Sequence, residues 1–175
     1  MPWSRILSGI VAIALALGMV IVGGWTFTVG FGIIIYLGQL EYFQLARAKG
    51  MAPAAKTTLV VSQALLVIST LSTEWADAVF PLAGTFICFY LLFQPKFATI
   101  ADISASILGL FYGGYLPSYW VRLRSLGSAE VSNLPFGGFW PDWADLQALP
   151  EGLTTTLLAF SCIWAADIGA YTIGK

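Results

Sequence analysis

Long apolar segments dominate this sequence and decide what it can fold into. Six runs of mostly apolar residues alternate with short polar links, at 6–23, 25–45, 54–71, 76–93, 100–121 and from 153 onward. A helix needs about 20 apolar residues to cross the hydrocarbon core of a bilayer, so runs of this length predict transmembrane helices. We therefore predict an all-α polytopic membrane protein with about six transmembrane helices, forming a single transmembrane domain over residues 1–175.

The composition supports this fold class and excludes several functions. Hydrophobic residues make up 58% of the chain and charged residues 10%, against about 25% charged in a typical soluble domain. The sequence has no histidine, which excludes imidazole base catalysis, Ser-His-Asp triads and zinc sites that use histidine. Because the net charge is −1, we expect no nucleic-acid binding by a basic surface.

The basic residues predict how the helices are oriented, because lysine and arginine are enriched in cytoplasmic loops. Placing the N-terminus in the cytoplasm puts six of the eight basic residues on that side. These six are Arg5, Arg47, Lys49, Lys56, Lys96 and Lys175. Arg122 and Arg124 then fall outside. We therefore expect both termini to be cytoplasmic, in a multi-pass protein of the cell's inner membrane.

Asp167 lies within or close to the last apolar segment, where a charged side chain is costly. An Asp at the centre of a membrane helix costs about 2.5–3.5 kcal/mol on an insertion scale, and such residues usually face a bundle interior, a cavity or a partner charge. Asp167, Ala170, Tyr171 and Gly174 follow i, i+3, i+4, i+7 spacing, which places them on one side of a helix. We interpret this face as a functional site; the alternative is that Asp167 only caps or pairs within the bundle.

Small residues form a seam along the same segment. Cys162, Ala166, Ala170 and Gly174 repeat every four residues and so share one narrow face of the helix. Small side chains allow another helix to approach closely within a membrane. We therefore expect this helix to be packed against neighbours and to face inward.

Two other acids lie near the ends of apolar segments. Glu41, near the end of the second segment, has three interpretations: it extends to the interface, pairs with Arg47, or faces the same cavity as Asp167. Asp102 falls in the first turn of the fifth helix, where a carboxylate complements the helix dipole.

Local sequence also predicts two interruptions. The link at 73–77 is acidic and aromatic, which favours a membrane hairpin between the third and fourth helices. Gly113, Gly114 and Pro117 in the fifth segment predict a kink or an unwound stretch.

The one long polar stretch, 122–152, is expected to be an interfacial, extracytoplasmic loop. Its prolines exclude one long helix. Its aromatic residues are of the kind that lie at the level of lipid head groups, namely Phe136, Phe139, Trp140 and Trp143. Arg122 and Arg124 are expected to anchor this loop at the interface, with phosphate binding as the alternative.

The last twelve residues carry a family resemblance. The run W-A-A-D-I-G-A-Y-T-I-G-K at 164–175 resembles the W-G-A-D-[ST]-G-A-Y-x-x-G-K block of bacterial phosphatidate cytidylyltransferases, also called CDP-diacylglycerol synthases. The R-I-L-S-G run at 5–9 and the E-Y-F-Q-L run at 41–45 resemble the family's R-[IL]-[IL]-S-[GA] and E-[FYW]-x-x-L segments. Ile168 departs from the family, which usually has Ser or Thr after the Asp.

The resemblance implies an enzyme that joins CTP and phosphatidate to give CDP-diacylglycerol and pyrophosphate. It implies Mg²⁺ as cofactor, with Asp167 as catalytic and metal-linked acid and Lys175 as catalytic phosphate contact. Tyr171 and Glu41 are expected to contact substrate, the lipid bilayer surrounds the protein, and a homodimer is left open. The family continues past this block with S-P-K-K-T-x-E-G-like and H-G-G-x-x-D-R-x-D segments. We therefore expect the chain to be the N-terminal part of a longer enzyme and to be inactive by itself.

A second class of function is a small polytopic transporter or a non-catalytic membrane subunit. In that case Asp167 and Glu41 would serve as ion or proton sites. A transporter would be favoured by inverted internal repeats, and no convincing repeat is found in the six segments.

Overall fold

The structure is a computed structural model that describes residues 2–94, 98–127, 131–142 and 149–174, with side chains described for all of these except 2–6 and 73. Two compact units divide the described chain. The first combines the stretches up to Phe27 and from Leu123 onward, and the second is Thr28–Arg122.

The described residues are mainly helical, as the apolar segments predict. The helices are α1 (Pro2–Val22), α2 (Gly24–Ala48), α3 (Ala55–Leu71), α4 (Thr73–Leu92), α5 (Ile100–Leu110), a π-helical turn (Phe111–Tyr115), α6 (Leu116–Ser125), a 3-10 turn (Pro135–Gly137) and α7 (Glu151–Ile173). Within this described part, the β-structure consists of one isolated bridge between Leu134 and Gly138.

Three described helices are long and apolar enough to cross a membrane by length and composition: α2, the Glu74–Leu92 part of α4, and α7. Two shorter apolar helices, Leu7–Val22 and Ala55–Leu71, fall below that length. The helices therefore indicate a multi-pass membrane protein. The count of about six spans and the orientation of the termini stay predictions.

The core of the second unit forms where α3, α4, α5 and the π turn pack together. Its centre consists of fully buried apolar side chains, among them Leu65 on α3, Ile87 on α4 and Leu110 at the end of α5. A smaller cluster joins Phe43 of α2 to Ala55 and Leu59 of α3. Both clusters place apolar side chains of successive helices against each other.

Polar contacts show that the helices of this unit alternate in direction. At one end, the Ala52 N–H before α3 donates to Asp102 Oδ1 in the first turn of α5, over 2.6 Å. At the other end, Arg122 near the end of α6 bonds Asp77 near the start of α4. The hydroxyls of Thr28 and Thr70 join the start of α2 to the end of α3 at 2.8 Å. Consecutive helices therefore run up and down within the unit.

The fifth apolar segment is one continuous helical path that widens at its middle. Residues Phe111–Tyr115 form a π turn between α5 and α6, and the backbone stays helical on both sides. The predicted kink or unwound stretch at Gly113 and Gly114 is thus a widened turn. Its physical reason is close approach: a Cβ at Gly113 would overlap Gln39, and one at Gly114 would press on Ser62.

The predicted hairpin link at 73–77 is wrong in its position. Those residues already belong to α4, whose first turn contains Glu74. The connection consists of Ser72 alone, with extended backbone at φ −158° and ψ 121°. Ser72 is both the C-cap residue of α3 and the N-cap residue of α4, so the chain reverses over one extended residue.

Arg124 organises the first unit in a way that the sequence did not suggest. It is 1% exposed; its Nε donates to the Val20 carbonyl at 2.5 Å and its Nη2 donates to the Ile21 carbonyl at 2.8 Å. These carbonyls end α1, where a cation is favourable against the helix dipole. Burial lowers the pKa of the Arg124 guanidinium. The predictions of an interfacial anchor or a phosphate ligand are therefore wrong for Arg124.

The described part of the predicted loop at 122–152 follows the end of α1 closely. The Phe139 N–H donates to the Val22 carbonyl at 2.8 Å, and the Phe139 side chain is buried. Asn133 bonds the Trp140 backbone through both its amide nitrogen and its amide oxygen. Phe136 and Trp140 are exposed, as expected of interfacial aromatic residues, whereas Phe139 is a core residue. Trp143 lies outside the described residues.

Candidate functional site

The candidate site from the sequence lies on the C-terminal half of α7. Asp167 and Tyr171 are one helical turn apart, so both side chains project from the same face of α7. Both are exposed, and Tyr171 is 67% exposed. The Asp167 carboxylate forms no hydrogen bond or ion pair with any residue that the structure describes. The alternative in which Asp167 pairs within the bundle therefore finds no partner in that part of the chain. Lys175 lies outside the described residues.

The small-residue seam of α7 is exposed within the part of the chain that the structure describes. Cys162, Ala166, Ala170 and Gly174 are all exposed. Burial is confined to the start of the helix, at Gly152, Leu153 and Thr156. There the helix packs closely, because a Cβ at Gly152 would overlap the carbonyls of Arg124 and Leu126. Among the described residues, no element covers the seam, so the inward packing of this half of α7 stays a prediction.

Glu41 lies on α2, in the second unit, whereas Asp167 and Tyr171 belong to the first. Its side chain is exposed. Within the described chain it forms no ion pair, so the predicted pairing with Arg47 is absent there. An exposed carboxylate near the end of an apolar helix fits the interpretation that Glu41 extends toward the interface.

The fit of Mg²⁺ to this site depends on a single carboxylate. In the described parts of the chain, no three acidic or cysteine side chains come together in a way that could hold a metal ion. Mg²⁺ is nevertheless commonly held by one or two carboxylates, with substrate phosphates and water as the other ligands. Asp167 is exposed and has no competing partner among those residues, so it fits the role of one such ligand.

Sequence reasoning missed a cluster of charged and phenolic side chains in the second unit. Arg122 donates to both carboxylate oxygens of Asp77, over 3.0 and 2.9 Å. The hydroxyls of Tyr115 and Tyr119 lie 2.8 Å apart, and Tyr119 also donates to Asp77 over 3.2 Å. The Arg122 guanidinium lies 4.5 Å from the centre of the Tyr119 ring. Arg122 is thus a structural ion-pair partner, and neither predicted role for it is supported by these contacts.

A buried polar contact inside the second unit was also missed. Gln39 is 4% exposed, and its amide nitrogen donates to Ser62 Oγ and to the Gly109 carbonyl, each over 2.8 Å. Its Oε1 is buried without a partner among the described residues. The sequence did contain a signal for this contact, namely a glutamine and a serine within otherwise apolar segments. Buried polar groups require hydrogen-bond partners, so the two could have been expected to meet.

Asp102 lies in the first turn of α5, as the sequence predicted, and it also bonds the link between α2 and α3. It forms a capping box with Thr99, in which the Asp102 N–H bonds Thr99 Oγ1 and the Thr99 N–H bonds Asp102 Oδ2. This arrangement satisfies backbone donors at the start of α5. The extra bond from the Ala52 N–H ties the link between α2 and α3 to the same carboxylate.

Comparisons with known proteins agree with the resemblance at 164–175. A family model described as "Cytidylyltransferase family" matches residues 3–175. A phosphatidate cytidylyltransferase of Synechocystis sp. is 61% identical over 180 aligned residues, which cover 100% of this chain and 61% of that protein. Phosphatidate cytidylyltransferase 4, chloroplastic, of Arabidopsis thaliana is 38% identical, covering 98% of this chain and 46% of that protein. No solved structure matches this chain.

A more distant relative extends the same pattern. The phosphatidate cytidylyltransferase of Bacillus subtilis is 28% identical over 98% of this chain and 57% of that protein. The chain thus spans roughly half to three fifths of the length of these relatives. The comparisons do not favour the transporter alternative, and they give no support to the expectation that the chain is inactive by itself. The match over nearly all of its residues shows that the chain belongs to the cytidylyltransferase family.

Proposed function

We propose that this chain takes part in the synthesis of CDP-diacylglycerol and pyrophosphate from CTP and phosphatidate. The observation that carries the proposal is 61% identity, across the whole chain, to a protein named phosphatidate cytidylyltransferase. The exposed, unpartnered carboxylate of Asp167 within the described chain supplies a reactive group in the segment that resembles the family.

The reaction is a displacement at phosphorus. An oxygen of the lipid phosphate forms a bond to the α-phosphorus of CTP, and the bond from that phosphorus to the bridging oxygen breaks. Pyrophosphate leaves with the electron pair. Two anions must be brought together and charge builds on the leaving group, so the site requires positive charge and hydrogen-bond donors. Mg²⁺ supplies such charge when it is bound.

The residues of α7 would have distinct roles in this reaction. Asp167 would hold Mg²⁺ as one ligand among substrate phosphates and water. The Tyr171 phenol, one turn away on the same face, would donate a hydrogen bond to a phosphate oxygen. Lys175 would contact phosphate as a cation. Glu41 on α2 would accept hydrogen bonds from substrate.

The proposed membrane arrangement has six spans with both termini in the cytoplasm. The proposed location is the inner membrane of the cell. The alternation of helix ends in the second unit supports the part from α2 to α6. The Asp77–Arg122 ion pair requires the start of α4 and the end of α6 to lie on the same side of a membrane, and the Ala52–Asp102 bond requires the same of the starts of α3 and α5. A homodimer stays a prediction, to be checked by cross-linking in native membranes.

The test compares two carboxylate variants of α7 in the full-length protein. Asp167→Asn removes the charge with little change in shape, and we expect it to lower the rate of CDP-diacylglycerol formation by about 100-fold or more, in line with the loss of a group that organises transition-state charge. Glu151→Gln is the matched control, because Glu151 is also an exposed acid on α7, in its first turn. It should keep nearly full activity.

The assay follows label from CTP into lipid, in detergent with phosphatidate and Mg²⁺. The amount of each variant inserted in the membrane is measured in parallel. Near-normal turnover by the Asp167→Asn enzyme would contradict the assigned role, and an equal loss in both variants would show that only the helix is being disturbed.

A further inference from the structure

A cavity lies wholly within the second unit, next to the end of α2 and the start of α3. Its volume is about 760 Å³, within the usual range of about 300–1,000 Å³ for ligand sites. Two cationic side chains, Arg47 and Lys56, line it together with the hydroxyl-bearing residues Thr57 and Thr99. Neither cation forms an ion pair with an acid of the described chain. The described lining residues therefore carry two cations without an ion-pair partner and one carboxylate, that of Asp102.

The acid among the described lining residues, Asp102, forms no ion pair with either cation. Asp102 Oδ1 accepts from the Ala52 N–H at 2.6 Å, and Oδ2 accepts from the N–H and the hydroxyl of Thr99, each at 2.8 Å. Each oxygen is thus occupied by a donor at the wall, and the residue is 6% exposed. The carboxylate fixes the wall of the cavity and leaves Arg47 and Lys56 available for an anion.

Hydrogen bonds attach the link between α2 and α3 to the wall of the cavity. Besides the bonds to Asp102, the Ala54 N–H donates to Ser106 Oγ at 2.9 Å, which holds the start of α3 against α5. The N-cap position of α3 is Ala54, which offers no side-chain acceptor, so the first-turn N–H groups at Lys56 and Thr57 add donors at the cavity edge. A fixed set of donors next to two cations suits a phosphate group.

The other lining residues indicate what carries the phosphate. Pro53, Ala54 and Leu91 are buried apolar residues that line the same cavity, at the ends of apolar helices. A cationic rim above an apolar wall matches a phospholipid, whose phosphate joins a glycerol and acyl chains. We propose that this cavity binds the phosphate group of an anionic phospholipid, with Arg47 and Lys56 as its cationic contacts.

This binding goes beyond the transfer reaction, since it requires neither CTP nor Asp167. The full-length protein in an uncharged detergent is titrated with dioctanoyl phosphatidate, and the dissociation constant is measured by microscale thermophoresis. Dioctanoylglycerol, which has the same chains without the phosphate, and CTP are titrated in separate arms. The titration is run without Mg²⁺ and reads lipid binding alone, whereas the proposed function is read by the turnover of the Asp167→Asn enzyme, so a failure of this proposal is distinguishable from a failure of the proposed function.

The matched variants lie at the end of α2, at the start of α3 and in the link between them. Arg47→Gln and Lys56→Gln each remove a cavity cation, and together they should weaken phosphatidate binding about tenfold or more, the loss expected for charge-assisted hydrogen bonds. Lys49→Gln removes another exposed cation of the same region that does not line the cavity, and it should leave the affinity within about twofold, as expected for a charge that solvent and salt screen. Dioctanoylglycerol should bind weakly and equally to all variants.

Several results would overturn the proposal. An unchanged affinity in the double variant would exclude the two cations as contacts. An equal loss in the Lys49→Gln variant would show attraction by general surface charge only. A loss of CTP binding with phosphatidate unaffected would assign the phosphate to the nucleotide instead of a lipid. If the double variant unfolds, as judged by its thermal unfolding midpoint, the two single variants decide the question, each with an expected loss of about threefold or more.

Discussion

Replacing glycine by alanine should have opposite effects on stability at two positions of the second unit, Gly114 in the π turn and Gly38 on α2. A Cβ built at Gly114 would lie 2.9 Å from Ser62 Oγ and 3.0 Å from Ser62 Cα. The second of these contacts is with backbone and cannot be relieved by a side-chain rotation. At Gly38 on α2, the same added methyl group meets nothing within 4 Å. Gly114→Ala and Gly38→Ala therefore differ mainly in the space available.

The magnitude follows from two opposing terms. Alanine is favoured over glycine within a helix by about 0.8–1.0 kcal/mol. An extra methyl group in a close-packed site costs about 1–3 kcal/mol. We expect Gly38→Ala to be neutral or stabilising by up to about 1 kcal/mol. Gly114→Ala should be destabilising by up to about 2 kcal/mol, so the two variants should differ by about 1–3 kcal/mol, the size of the packing term.

The assay is reversible unfolding in mixed micelles, with sodium dodecyl sulfate as denaturant and far-UV circular dichroism as readout. The two variants and the wild-type protein are measured under the same conditions, and free energies of unfolding are compared. If the Gly114→Ala and Gly38→Ala proteins agree within about 0.5 kcal/mol, the usual range for substitutions outside the core, the close approach of Ser62 to the π turn would be refuted.

Three further predictions concern the Asp77–Arg122 ion pair, the role of Arg124 and the membrane topology. A double-mutant cycle with Asp77→Asn and Arg122→Gln should give a coupling energy of about 1 kcal/mol, because the pair is bidentate but the Asp77 side chain is 53% exposed; additive effects would exclude the pair. Arg124→Gln should destabilise by about 1–3 kcal/mol, since buried carbonyls at the end of α1 lose their donor, and an unchanged free energy of unfolding would contradict that role. With the native cysteines replaced, a cysteine at Val131 should be labelled from outside intact cells and one at Lys49 only after permeabilisation. The reverse pattern would reject the proposed topology.

The positions of the helices could be predicted because they depend on local composition. Runs of apolar residues long enough to span a bilayer, separated by glycine, proline and charge, define α1 to α4 and α7 to within a few residues. The capping role of Asp102 was predictable for the same reason, since its partner Thr99 is three residues away. The hairpin at Ser72 was misplaced because acidic and aromatic residues at 73–77 suit a loop and a first helical turn equally well.

The contacts that hold helices together could not be predicted in this way. Gln39, Ser62 and Gly109 are separated by 23 and 47 residues, and nothing near any one of them specifies the other two. The glycines of the π turn indicated an irregular backbone. Glycine, however, suits an unwound stretch and the close approach of another helix equally well. The identity of the neighbour decides between them, and that neighbour is distant in sequence.

Arg124 shows why a residue type alone does not determine a role. A basic side chain beside an apolar segment can extend to the interface, bind phosphate or bond the carbonyls at a helix end, and all three uses satisfy the same charge. Gly23, whose φ is +67°, leaves room that a side chain would occupy, because a Cβ there would overlap the Arg124 guanidinium. The glycine is therefore the part of the sequence that makes the third use available, and it lies about a hundred residues before the arginine whose role it decides.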